Sequence, residues 1–134
     1  MLLNLSNHPS STWPPEQIKA AEEQYEQIKD INFPEIDPAL EPDEIFALAC
    51  EYEVKCLEIL RNAPEYEFHT VHIMGELTFC YTLVHLLQAE DVVCIASTTT
   101  RKNQTLPDGQ PKVHFNFQRF REYPNLAPKK WRAP

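Results

Sequence analysis

Residues 68–101 read FHTVHIMGELTFCYTLVHLLQAEDVVCIASTTTR, and this stretch decides the fold. An apolar run ending at Met74 predicts a strand, Gly75-Glu76 marks a tight turn, and the uncharged stretch 77–89 has the length of a buried helix. A second apolar run, 92–97, predicts another strand. Such a βαβ unit has parallel strands joined by a right-handed crossover. The segment therefore predicts an α/β fold.

The residues before this unit continue the same alternation of strands and helices. The opening MLLNLS (1–6) predicts a buried strand, helical spacing extends to about residue 26, and QIKDIN (27–32) fits a second strand. A connector with three prolines (33–42) leads to a helix over about 42–60. We expect a Rossmann-like, mostly parallel sheet with helices on both faces.

The C-terminal third predicts an antiparallel hairpin at the sheet edge. Residues 100–106 and 112–120 have strand character, and the LPDGQP between them contains the turn signal Asp108-Gly109. We expect a single domain over residues 1–123 and a partly flexible tail over 124–134.

Composition excludes several classes of protein. The 134 residues suffice for one domain, and 43% of them are hydrophobic. The uncharged stretch 77–89 is shorter than the roughly 20 residues that cross a membrane, and the first residues lack a basic leader, so we expect a cytoplasmic protein. None of the four cysteines forms a CxxC pair, which favours reduced buried thiols and no metal site. No phosphate-loop or dinucleotide motif is present, and we expect no cofactor.

Charge is distributed unevenly along the chain. Residues 1–94 contain four Lys/Arg and eighteen Asp/Glu, whereas residues 95–134 contain eight Lys/Arg and two Asp/Glu. The acidic bulk disfavours binding to a long nucleic acid. A small anionic ligand beside the basic third remains compatible with the sequence, as does a basic tail that only aids solubility.

Three polar segments follow predicted parallel strands, where ligands bind in open α/β sheets. They are Ser6-Asn7-His8, Gly75-Glu76-Leu77-Thr78, and Ser97-Thr98-Thr99-Thr100-Arg101, each interpreted as a loop. Hydroxyls and a guanidinium suit phosphate oxygens, although hydroxyl residues also gather at strand ends without any function.

Within these segments, two side chains have chemistry to offer. His8 is a candidate general base or donor to phosphate, or an ordinary loop histidine. Glu76 is a candidate ligand contact or a helix cap, because a helix dipole favours a carboxylate in the first turn. Gly75 either admits a ligand close to the backbone or merely fits its turn.

The ordered set SNHPS, VHIMGELTF, IASTTTR and FREY resembles the small stand-alone CRISPR-associated proteins of the ring-nuclease type, which are similar to CARF (CRISPR-associated Rossmann-fold) domains. The resemblance runs from residue 1 to about 123. It implies a homodimer that binds a cyclic oligoadenylate, above all the tetra-adenylate, and cuts it to switch off type III antiviral signalling. The implied ligand-binding residues are Ser6, Asn7, His8, Gly75, Glu76, Thr78, Ser97, Thr98, Thr99 and Arg101.

The resemblance also implies a metal-independent mechanism. A ribose 2′-hydroxyl would attack the adjacent phosphate, with His8 transferring a proton, Arg101 and the threonine hydroxyls stabilising charge, and Glu76 orienting the ribose. The chain departs from the family pattern in two ways. The glycine pair common after a CARF strand is missing, and no lysine lies in the central segments.

Three other functions remain open at this stage. The protein could sequester the same second messenger without cutting it, because positioning serves both outcomes. It could be another nucleotide or sugar-phosphate enzyme, since a fold does not fix a function. It could also be an interaction module whose acidic helices form the contact surface.

Overall fold

The computed structural model describes residues 1–66 and 69–126. It confirms the α/β fold predicted from the sequence. The sheet is mostly parallel, helices lie on both faces, and the C-terminal hairpin is antiparallel. Phe68 and residues 127–134 of the predicted tail lie outside the described residues, and the division at 123/124 remains a prediction. In chain order the elements are β1 (Leu2–Ser6), α1 (Pro15–Tyr25), β2 (Ile28–Asp30), α2 (Pro42–Arg61), β3 (Thr70–Met74), α3 (Leu77–Ala89), β4 (Val93–Thr105) and β5 (Pro111–Glu122), with a 3₁₀ turn at Ser10–Thr12 before α1.

The five strands form one sheet in the order β2-β1-β3-β4-β5. The first four are parallel, and β5 is antiparallel to β4. The chain steps from β1 to one side and then returns past it to β3, so right-handed crossovers place α1 on one face and both α2 and α3 on the other. The order of the strands therefore reverses between β1 and β3, and ligands of open α/β sheets bind beyond the carboxyl ends of the strands at such a point.

All five residues of β1 are buried, as expected for an inner strand of a parallel sheet. Leu3 and Leu5 face the larger core under α2 and α3, while Leu2 faces the smaller core under α1. The alternation of a strand therefore turns Asn4 and Ser6 toward α1 as well. One face of β1 is apolar, and the other carries a buried polar row.

The larger core contains the cysteines of α2, α3 and β4. Cys56, Cys80 and Cys94 are buried free thiols, and Cys50 is half-buried and also free. Burial raises the pKa of each of the three buried thiols to about 12, so they stay protonated and unreactive. The expected burial is found for Cys56, Cys80 and Cys94, while Cys50 is only half-buried. No helix in the described part of the chain has the length and apolar character to cross a membrane.

The C-terminal hairpin differs from the expectation in one respect. Residues 97–101 are not a loop, because β4 continues without a break from Val93 to Thr105 and pairs with β5 from Ile95 onward. A bulge opposite Thr98 and Thr99 gives β5 one extra residue, Gln118. β4 pairs with β3 only over 93–95, so most of the β4–β5 hairpin extends past the ends of the other three strands.

We call this extension the arm and define it as residues 99–117. Its tip is the predicted turn, in which the Gly109 amide donates to the Leu106 carbonyl at 2.8 Å. Gly109 has φ 86°, a conformation that favours glycine. The turn prediction is confirmed.

Gly75 has a packing role at the β3–α3 turn. A Cβ built on Gly75 would lie 2.3 Å from the Cζ atom of Phe33, closer than two carbons can approach. The Phe33 ring in turn packs edge-on against Phe79 of the larger core, with centroids 5.3 Å apart. Glycine at 75 therefore lets the connector before α2 close over the turn.

We predict that Gly75→Ala lowers the free energy of unfolding by about 1–3 kcal/mol, because the Phe33 ring must move away from the new methyl group. The cost should shrink to less than about 1 kcal/mol in a Phe33→Ala background, where the clashing ring is gone. Urea denaturation of the four proteins measures both values. Equal costs in the two backgrounds would show that Phe33 is not the reason for the glycine.

Candidate functional site

The three predicted ligand segments meet around Met74 at the carboxyl end of β3, the third of them through Ser97. The Met74 carbonyl accepts a hydrogen bond from the Asn7 amide at 3.1 Å, and its Sδ atom accepts from the Ser97 amide and hydroxyl at 3.3 and 3.0 Å. The strands β1 and β4 are thereby joined to the end of β3. We call this polar edge the rim and define it as Ser6, Asn7, His8, Met74, Gly75, Glu76 and Ser97.

The loop that carries His8 is anchored through its backbone. The His8 carbonyl accepts from Asn4 Nδ2 at 3.0 Å and from Trp13 Nε1 at 3.0 Å, and it lies 2.9 Å from the Ser6 hydroxyl. Asn4, Ser6 and Trp13 are all buried. The loop backbone is therefore fixed while the exposed His8 side chain is presented to solvent.

Asp30, at the end of β2, orients the Asn4 carboxamide. Its carboxylate can only accept, so Asn4 must turn its Nδ2 group toward Asp30 Oδ1, at 2.8 Å. Ser10 adds donations to Asp30 from its amide at 3.0 Å and from its hydroxyl at 2.6 Å. Burial alone would raise the pKa of Asp30, but the hydrogen bonds from Ser10 and Asn4 outweigh it, and the pKa is lowered.

The orientation of Asn4 in turn fixes the tautomer of His72 on β3. Asn4 Oδ1 lies 2.8 Å from His72 Nδ1 and can only accept, so the proton is on Nδ1. His72 is 1% exposed and packs against the rings of Trp13 and Phe120, with centroids 5.1 and 5.7 Å away. Its Nε2 atom is buried and has no hydrogen-bond partner among the described residues. Burial, and secondarily the nearby His8, lowers the pKa of His72 to about 4.

Glu76 acts as the N-cap of α3. Its carboxylate accepts from the amides of Thr78 and Phe79 at 3.1 and 2.8 Å and from the Thr78 hydroxyl at 2.7 Å. The hydrogen bond from the Thr78 side chain, followed by that from the Phe79 amide, lowers the pKa of Glu76. Two free amides of this helix terminus are therefore already satisfied, and any anion there would meet a carboxylate.

The third predicted segment, residues 97–101, divides between the two faces of the sheet. Because alternate residues of a strand face opposite ways, Ser97, Thr99 and Arg101 share the α1 face, whereas Thr98 lies on the other face and donates its hydroxyl to the Arg119 carbonyl at 3.1 Å. Of these four residues, Ser97 alone reaches the rim. Arg101 lies on the exposed arm, about 13 Å along β4 from Ser97 by strand geometry.

Three residues that position the rim were not among the predicted site residues. They are Asn4, Trp13 and Asp30, which hold the His8 loop from below. An asparagine within the apolar run MLLNLS was a visible signal, since a buried amide needs partners. Asp30 offered no such signal, because it lies 26 residues from Asn4 in the chain and is the last residue of a short, mostly exposed strand. Within residues 1–66 and 69–126, no group of three His, Cys, Asp or Glu side chains is placed to hold a metal ion.

Comparison with known proteins places the chain in a family. The family model described as the uncharacterized protein MJ1673 family matches residues 1–121. The chain belongs to the MJ1673 family. The match includes every rim residue and the whole arm. The search of curated proteins found no match, and neither did the search of solved structures.

The buried His72 makes a prediction about acid stability. Its folded pKa of about 4 lies below the ordinary value of 6.5, so it stabilises the fold fully above pH 6.5. That contribution, about 3 kcal/mol, is lost as the pH falls from 6.5 to 4. We expect urea titrations of the wild-type protein to show this fall and those of His72→Gln to show a shallower one.

His85→Gln is the matched control, because His85 is an exposed histidine on α3. It should retain the wild-type dependence on pH. The same dependence in His72→Gln as in the wild type would mean that another group causes the loss. Asp30 and Glu76 have lowered pKa values, so their contributions are lost as the pH falls below their ordinary values of 3.8 and 4.5, at the acidic end of the range in which His72 acts.

Proposed function

We propose that the protein binds a cyclic oligoadenylate, with the cyclic tetra-adenylate as the expected ring, and cleaves it without a metal ion. The observation that carries this proposal is the convergence of three separate polar segments on Met74, at the edge of the sheet where the order of the strands reverses. The sequence resemblance supplies the identity of the ligand. The proposed setting is the cytoplasm, where cleavage by a homodimer would end type III CRISPR signalling.

The proposed reaction is an internal transesterification. A ribose 2′-oxygen attacks the neighbouring phosphorus, the bond from phosphorus to the 5′-oxygen breaks, and a 2′,3′-cyclic phosphate forms. One proton leaves the 2′-hydroxyl and one reaches the departing 5′-oxygen, so no external reactant is consumed. The enzyme needs to hold the attacking and leaving oxygens in line and to stabilise charge on the phosphorane.

The rim supports a specific division of these tasks. His8 is exposed on a fixed loop backbone and is the group that would transfer a proton. The Asn7 side chain is available for phosphate, and Ser97 Oγ and the unused acceptor positions of Glu76 are available to accept from ribose hydroxyls. Arg101 lies farther out on the arm, which suits a ligand whose phosphates are spread around a ring better than a mononucleotide.

Two observations favour a second candidate function, sequestration of the same ligand without cleavage. The Glu76 carboxylate already accepts hydrogen bonds from the first turn of α3. Arg101 lies on the arm, about 13 Å along β4 from the rim residue Ser97. In that case the rim would provide binding, but no cation would stabilise the transition state.

The decisive experiment incubates excess protein with cyclic tetra-adenylate in EDTA and separates the products by chromatography. We expect a linear product that ends in a 2′,3′-cyclic phosphate. Binding of intact ring with no product would leave sequestration as the function. Binding of AMP in preference to the ring would indicate a different phosphate-ligand enzyme.

We predict that His8→Ala slows single-turnover cleavage about 100-fold or more, because proton transfer from a positioned group contributes this much. Ring affinity, measured by titration, should change far less. The control His85→Ala removes an exposed histidine two turns into α3 and should cleave at the wild-type rate. An unchanged rate in His8→Ala would remove the role given to His8.

A further inference from the structure

One face of the arm carries the apolar side chains of Val113, Phe115 and Phe117, and among residues 1–66 and 69–126 nothing covers Phe115. Directly paired residues of antiparallel strands share a face, so Phe115 lies beside Arg101, Val113 beside Asn103 and Phe117 beside Thr99. Phe117 packs against Phe120 at the base of the arm, whereas Phe115 is 66% exposed. A two-stranded ribbon outside a sheet is marginally stable unless its apolar face is packed.

A cleft on the opposite face of the molecule is also open. It has a volume of about 440 Å³ and lies between the first turns of α2 and α3, lined by Leu40, Pro42, Ile45, Leu77, Thr78, Tyr81 and Thr82. Leu77 is 83% exposed and Tyr81 77% exposed. Isolated exposed apolar residues are ordinary, but a cleft with two such large side chains at its edge indicates a contact surface.

The charges of the two surfaces are complementary. The arm carries Arg101, Lys102 and Lys112 against a single acidic residue, Asp108. Arg101 shares the face of Phe115, whereas Lys102 and Lys112 lie on the opposite face of the ribbon. Four exposed carboxylates adjoin the cleft-lining residues in sequence, namely Glu41, Asp43, Glu44 and Glu76. The ion pairs found in the described part of the chain, Lys19–Glu23 and Lys55–Glu51, use none of them.

The arm cannot fill the cleft of its own chain. Phe117 and Phe120 pack in the core under α1, so the apolar face of the arm points to the α1 side of the sheet. The cleft lies on the other side, between α2 and α3. Only another molecule can bring these two surfaces together.

We propose that the arm of one copy docks into the α2–α3 cleft of a second copy, with Phe115 as the anchor and Arg101, on the same face of the arm, facing the carboxylates at the edge of the cleft. Two such contacts, related by a two-fold axis, close a dimer. An aromatic anchor in an apolar pocket with a charged edge is the usual anatomy of a specific interface. This inference does not rest on the proposed function, because oligomeric state is its test.

The other simple way to pair two copies is through their edge strands, and charge disfavours it. β5 is the outer strand of the sheet and carries Lys112, Arg119 and Arg121. An antiparallel pairing of β5 with the β5 of a second copy would bring these cations together, and Pro111 lacks an amide to donate. The α2–α3 cleft, with carboxylates at its edge, is therefore the better match for the arm.

Sedimentation equilibrium over a concentration series tests the docking. We expect a wild-type dimer that weakens with rising salt, and dimers about tenfold weaker or more for Phe115→Asp and for Tyr81→Asp. The matched control is Val54→Asp, which replaces an equally exposed apolar residue (62%) of α2 outside the cleft lining and should leave the dimer intact.

Mixing the two defective variants separates this arrangement from every other dimer. Phe115→Asp retains an intact cleft, and Tyr81→Asp retains an intact arm, so the mixture can form one sound contact that neither variant forms alone. We expect a heterodimer in the mixture, while circular dichroism shows that each variant is folded. A monomeric wild type, an undisturbed dimer in both variants, or no association in the mixture would each overturn the proposal.

Discussion

The carboxamide of Asn4 joins the strands that form the candidate site. From the middle of a buried strand it accepts from His72 on β3, donates to Asp30 on β2, and donates to the His8 carbonyl above it. A buried amide is costly unless its donors and acceptors are paired, and here both its oxygen and its nitrogen are engaged. Together with Trp13 and Ser6, this side chain fixes the position of the His8 loop on the rim.

The two faces of the sheet serve different purposes. Under α2 and α3 the core is apolar, with Phe79, Leu83 and Leu87 fully buried, and it supplies most of the hydrophobic stabilisation. Under α1 the core is small and encloses a polar row. Because that row runs toward the carboxyl ends of β1 and β3, polar groups reach this edge of the sheet without interrupting the larger core.

Much of the fold could be predicted from apolar runs and turn residues. β1, the βαβ unit around Gly75-Glu76 and the Asp108-Gly109 turn all have strong local signals, and the structure confirms them. The continuity of β4 through 97–101 had none, because a ribbon outside the core has no buried face to impose alternation on its sequence. Threonine-rich, polar and charged, that stretch has the composition of a loop although its β-branched residues suit a strand.

The candidate site was predictable in outline and not in detail. The rule that ligands bind beyond the carboxyl ends of parallel strands selected 6–8, 75–78 and 97–101. Asn7 and Ser97 do meet at Met74, whereas Arg101 lies out on the arm. The pairing of Asn4 with Asp30 joins two distant strands and leaves no local pattern. The choice between cap and ligand contact for Glu76 also required the positions of two backbone amides.

Hydrogen exchange with and without cyclic tetra-adenylate is the most direct test of the central claim, that the ring binds on the rim held by Asn4. We predict slower exchange at the amides of residues 6–8, 75–78 and 97–101 when the ring is present, with little change at the opposite ends of the strands. Protection confined to other segments, or no protection at saturating ligand, would contradict it.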